Sequence, residues 1–177
     1  MTRPTEQLER TLLEITEATC ETLAFMFPTP PIEDESNARG DYQGELTHVR
    51  VYFAGPFAGS LALSMPRSML PALAANMLGL DEQSTTSEQR IDAARELCNV
   101  VCGNLLPAVA GREPVFSVSP PELCDDPGAP DSAACVRSRA WLDEGWVEAR
   151  FTVDGGLDRL PHRRRDEPGA DGLRSIA

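Results

Sequence analysis

The run Ile91-Asp92-Ala93-Ala94-Arg95-Glu96-Leu97-Cys98-Asn99-Val100-Val101-Cys102-Gly103-Asn104-Leu105 holds the residues best suited to chemistry in this chain. Placed on a helix at about 100° per residue, Ile91, Ala94, Cys98, Val101 and Leu105 gather on one side, flanked by Leu97, Ala108 and Val109. Asp92, Glu96, Asn99 and Gly103 fall together on the opposite side, within a sector of roughly 60°. A carboxamide there offers both an acceptor and a donor without carrying charge. The plain alternative is a solvated helix face, where Glu and Asn commonly sit. Two residues sit poorly with it: the Asn99 amide competes for backbone groups, and Gly103 costs about 1 kcal/mol relative to alanine in a helix interior. A glycine one turn beyond the amide also leaves the surface bare, so another protein could approach Asn99 closely.

The second candidate chemistry is that of the cysteines, Cys20, Cys98, Cys102, Cys124 and Cys135. Their odd number and the lack of a C-x-x-C pair suit a reducing compartment rather than a disulfide framework. Cys98 and Cys102 can share a helix face, but a metal site needs two further ligands, and His48 and His162 are the only histidines. Both thiols point toward the expected core, where small apolar packing is the better reading.

The elements that must hold this helix are legible from periodicity. Leu8, Leu12, Ile15, Thr19, Leu23 and Met26 recur at three- and four-residue steps and predict a first helix that stops at Phe27-Pro28. A polar loop follows through Gly40. Residues 44–55 and 59–65 alternate as paired strands around Gly55-Pro56, with Val49, Val51 and Phe53 on one side. Pro66 opens a short helix closed near Gly79, and Ser84 to Ser87 offer caps for the long helix, which ends by Gly111. A short apolar segment, Val115 to Val118, precedes a Pro- and Asp-rich irregular stretch. Cys135–Leu142 and Trp146–Val153 then read as a hairpin around Asp143-Glu144-Gly145. Residues 1–154 are thus expected to form one domain, with 155–177 a polar tail. Arg163-Arg164-Arg165 in that tail could bind an anion, yet Asp166 and Glu167 beside it fit a solvated segment better.

At 177 residues and 41% hydrophobic content the chain has enough material for one well-buried core. Sixteen Lys and Arg against 28 Asp and Glu leave a formal charge of −12, which disfavours general nucleic-acid binding. No apolar run reaches the roughly 20 residues that span a bilayer, and residues 1–6 lack a signal peptide's pattern, so a cytoplasmic location without membrane attachment is expected.

Asp92-x3-Glu96-x2-Asn99 followed by Gly103-Asn104 resembles the helical motif of the CheC/CheX/FliY chemotaxis phosphatases, in which an Asp or Ser, a Glu and an Asn precede a distant proline. Pro120 and Pro121 stand for that proline, one or two residues short of the usual spacing. Relatives of the CheC and FliY kind carry the motif twice. Here the first helix has Glu17-x2-Cys20, with cysteine in place of the amide, so a single motif remains, as in CheX. The resemblance spans the layout from about Leu8 to Val153. It implies an α/β fold of the α+β kind, with long helices packed on an antiparallel-rich sheet, and a homodimer.

It also implies a function: dephosphorylation of the aspartyl phosphate on a CheY-like response-regulator receiver domain. Such a domain supplies its own Mg2+ and lysine at the phosphoryl group, so no cofactor is expected on this chain. By the resemblance Asn99 orients the attacking water and Glu96 pairs with the receiver's lysine, while Asp92 and Gly103 complete the partner-binding surface. The competing reading is a non-catalytic receiver-binding or flagellar-switch-like module on the same fold.

Overall fold

The computed structural model of the chain describes residues 4–31, 42, 44–127 and 134–161. His162, the Arg163–Arg165 cluster, the rest of the expected tail and most of the polar loop before Gly40 lie outside the described residues.

Helix α1 (Pro4–Ala24) buries Leu8, Leu12, Thr16, Thr19 and Cys20 and exposes its glutamates 6, 9, 14 and 21. It ends before Pro28 could force it to. Phe25 takes a left-handed conformation (φ 52°), and Met26 N–H closes the end on the Cys20 carbonyl at 3.2 Å. Placing a side chain there costs about 1 kcal/mol. Strands β1 (Leu46–Ala54) and β2 (Ala58–Pro66) form the expected hairpin. A 3-10 turn at Arg67–Met69 leads into α2 (Leu70–Leu78), which Gly79 caps at φ 66°. Helix α3 runs from Ser87 to Ala110.

The short β3 (Ser117–Val118) and β4 (Glu122–Leu123) both pair with the outer edge of β1. The sequence left this stretch irregular beyond Val118, because two-residue strands carry no alternation to read. Strands β5 (Cys135–Leu142) and β6 (Gly145–Val153) make the second hairpin, and β6 returns beside β2. Every pairing is antiparallel, in the order β3-β1-β2-β6-β5. Past Val153 a 3-10 turn at Leu157–Arg159 follows, and Leu157 and Leu160 pack against the core.

The helices cover one face of this sheet: α1 lies against β5 and β6, α3 against β1 and β2, and α2 against α3. The core is the layer between, where Val49, Val51, Phe53, Leu61, Leu63, Ala149, Phe151 and Val153 meet Leu97, Cys98, Val101 and Leu105. Phe53 and Phe151 stack with centroids 5.3 Å apart. The other sheet face mixes charged and aromatic side chains, with Arg139 over the Trp146 ring at 4.2 Å. There Glu148 is buried between Arg139 (2.8 Å) and Arg150 (2.9 Å), and the His48 ring lies 2.8 Å from the Ser64 hydroxyl.

Candidate functional site: an exposed polar face on α3

A defined start holds α3 in register. Gln89 N–H donates to the Thr86 hydroxyl at 3.2 Å, and Thr86 N–H donates to the Gln89 side-chain oxygen at 2.8 Å, a reciprocal cap. Arg90 adds a bond from Nε to the Thr85 hydroxyl at 2.8 Å. From there Ala94, Leu97, Cys98, Val101 and Leu105 are fully buried over the sheet. Burying that side of a 3.6-residue repeat leaves Asp92, Glu96, Asn99 and Gly103 exposed together on the other.

Glu96 and Asn99 stand one turn apart, about 4.5 Å along the axis. Among the described residues neither makes a side-chain hydrogen bond or an ion pair, so both are available to a partner. Asp92 is engaged locally: Arg95 Nη1 lies 3.1 Å from its carboxylate. A Cβ built on Gly103 meets nothing within 4 Å, so this part of the helix surface is bare. The Asn104 side chain turns away from the face and donates to the Thr19 hydroxyl on α1 at 3.4 Å, which ties the two helices together.

The position on α1 that would carry a second amide holds Cys20, which is fully buried. Burial pushes its thiol up to about 12, with Glu17 adding to the effect. Cys102 is likewise pushed up to about 12 by burial, and Cys98, raised further, donates weakly to the Val49 carbonyl at 3.6 Å. These are neutral packing thiols with little reactivity. Among the described residues no group of three His, Cys, Asp or Glu side chains is placed to hold a metal ion. A shallow cleft lined by Arg137, Arg139, Trp141 and Glu148 lies at the β5 edge, away from the α3 face.

Sequence reasoning missed Pro107, inside α3 one turn beyond Gly103. The residue itself was the signal, since proline four positions past a glycine leaves that glycine's carbonyl without its helical donor. It also missed the Glu148 network, whose alternation along β6 put a carboxylate on the same face as arginines of β5 and β6.

The fold is that of known structures. CheX from Desulfovibrio desulfuricans superposes with a TM-score of 0.61 at 15% identity, covering 84% of this chain and 99% of the other. CheX from Borrelia burgdorferi, solved as a CheX-CheY-BeF3-Mg2+ complex, gives 0.57 at 14% identity, covering 81% and 96%. FliY from Thermotoga maritima gives 0.52 at 18% identity, covering 85% and 92%. At such identities the likeness is one of fold. No curated protein matches the chain in sequence. The family model described as chemotaxis phosphatase CheX matches residues 48–137, which include the whole exposed face of α3 and about half of the chain. The chain therefore belongs to the CheX family.

Proposed function

We propose that this protein removes the phosphoryl group from the aspartate of a CheY-like receiver domain, with the exposed face of α3 as its working surface. The observation that carries this reading is the pairing of Glu96 and Asn99, both exposed and unengaged on a helix whose other side is locked into the core. The family's description and the Borrelia burgdorferi relative in complex with CheY support it.

The receiver's aspartyl phosphate already has charge compensation from the receiver's own Mg2+ and lysine. What its spontaneous hydrolysis lacks is a water held in line with the breaking bond, and positioning a nucleophile lowers a barrier by several kcal/mol. The Asn99 oxygen accepts from that water while its amide nitrogen donates to a phosphoryl oxygen. A carboxylate there would bring a second negative charge to the phosphate. Glu96, one turn back, pairs with the receiver's lysine and sets the register of docking. No general base is required, because a loose transition state asks little of one.

The homodimer and the cytoplasmic location belong to the same proposal. Among the described residues no helix is long and apolar enough to cross a membrane. The function is tested by mixing the protein with a phosphorylated receiver and removing Mg2+. Acceleration that vanishes with the metal fits the proposal, whereas hydrolysis of a simple aryl phosphate by the protein alone would indicate an ordinary phosphomonoesterase. A protein that binds the phosphorylated receiver without shortening its lifetime would favour the binding-module reading.

A further inference from the structure

Four residues beyond Asn99, the exposed face of α3 carries a backbone carbonyl that lacks its regular helical donor. An α-helix pairs the carbonyl of residue 103 with the N–H of residue 107, and residue 107 is Pro107, which has no N–H. The carbonyl belongs to Gly103, which is exposed, so no side chain of its own shields it. The neighbouring amide that could have covered it, Asn104, is committed to Thr19 on α1. Further down, Gly111 N–H closes the helix end on the Pro107 carbonyl at 2.9 Å, so the helix continues past the proline to Ala110.

The surroundings select the partner's charge. Gly103 lies in the C-terminal half of α3, and the last turn of the helix carries no basic residue. About 10 Å up the same face stands Glu96, and the one arginine on that stretch, Arg95, pairs with Asp92. An acidic, donor-poor surface with a free acceptor suits a cationic donor.

We propose that the Gly103 carbonyl, freed by Pro107, accepts a hydrogen bond from a second lysine or arginine side chain of the receiver, beside the lysine that Glu96 engages. This rests on the phosphatase reading and adds a second anchor to it. Pro107 acts as a positioning residue, since it touches no reacting atom.

Pro107→Ala restores the missing donor and fills the acceptor from within the helix. Affinity for a beryllofluoride-loaded receiver should fall by about tenfold, the loss expected for one hydrogen bond to a charged group. Turnover at saturating receiver should stay within about twofold of the parent, because water positioning at Asn99 is untouched, and the variant should melt higher. Gly103→Ala meets no atom of this chain, so a loss of affinity there reports only on the partner's approach. Binding by both variants within about twofold of the parent would overturn the anchor while leaving the phosphatase reading intact. A parent protein that neither binds nor dephosphorylates receivers would overturn both.

Discussion

Cys98 and Asn99 are consecutive in the chain and face opposite worlds: the Cys98 thiol sits fully buried 3.6 Å from the Val49 carbonyl, and the Asn99 amide stands in solvent on the far side of α3. One peptide unit separates the packing of the core from the proposed working surface. Substitutions at the two positions should therefore have opposite consequences.

Cys98→Asp should destabilise the fold by about 3 kcal/mol or more, because it places a carboxylate with no cationic partner between α3 and the sheet. Chemical denaturation would measure the loss. A variant as stable as the parent would show that this side of α3 is not packed as described.

Asn99→Ala should leave stability within about 0.5 kcal/mol of the parent, since an exposed side chain has little packing to lose and alanine is the better helix former. Its acceleration of receiver dephosphorylation should fall by about tenfold to a hundredfold, the scale of a lost positioning contact. Thermal melts and single-turnover rates on the same preparation separate the two effects.

Glu96→Lys should fail at a different step. It sets a like charge against the receiver's lysine and should weaken binding by about tenfold or more, whereas Asn99→Ala should bind a phosphoryl-mimic receiver almost normally. Affinities measured by titration calorimetry decide whether the two phenotypes divide this way.

The sheet face that carries Glu148 and His48 should make the protein acid-sensitive. Burial alone pushes the Glu148 carboxyl up, but hydrogen bonds and charge from Arg139 and Arg150 outweigh it and hold the group below its ordinary range. His48 is lowered by burial and by Arg150. Both groups bind protons more weakly folded than unfolded, so stability falls as pH drops. The His48 share is lost below its ordinary value of 6.5, and the Glu148 share below 4.5, as each folded value is passed. Glu148→Gln should remove the lower-pH step and cost about 3 kcal/mol near neutrality by taking the carboxylate away from two part-buried arginines. Melting temperature against pH checks both statements.

Much of the fold was legible in the residues themselves. The hairpins read at 44–55 with 59–65 and at Cys135–Leu142 with Trp146–Val153 follow from alternation against a core, and α3 follows from its helical period with caps on offer between Ser84 and Ser87, of which Thr86 is the one used. The end of α1 was misplaced because a left-handed Phe25, and not Pro28, terminates it; nothing local in a phenylalanine announces that conformation. Strands β3 and β4 were unreadable for a related reason, since edge pairing to β1 comes from tertiary contact and not from their own two-residue patterns. At the site, the exposed face could be drawn from the helical period alone. The role proposed for it rests on the motif, because a wheel cannot tell a working surface from a solvated one.

The most direct test follows the lifetime of a receiver's aspartyl phosphate in the presence of Mg2+, with this protein added well below stoichiometry. The expected result is a decay that quickens in proportion to the protein added, with each molecule clearing many phosphoryl groups, and whose acceleration falls by about tenfold or more with Asn99→Ala. An unchanged lifetime with the parent protein, or equal acceleration by parent and Asn99→Ala, would contradict the assignment of α3 as a water-positioning surface.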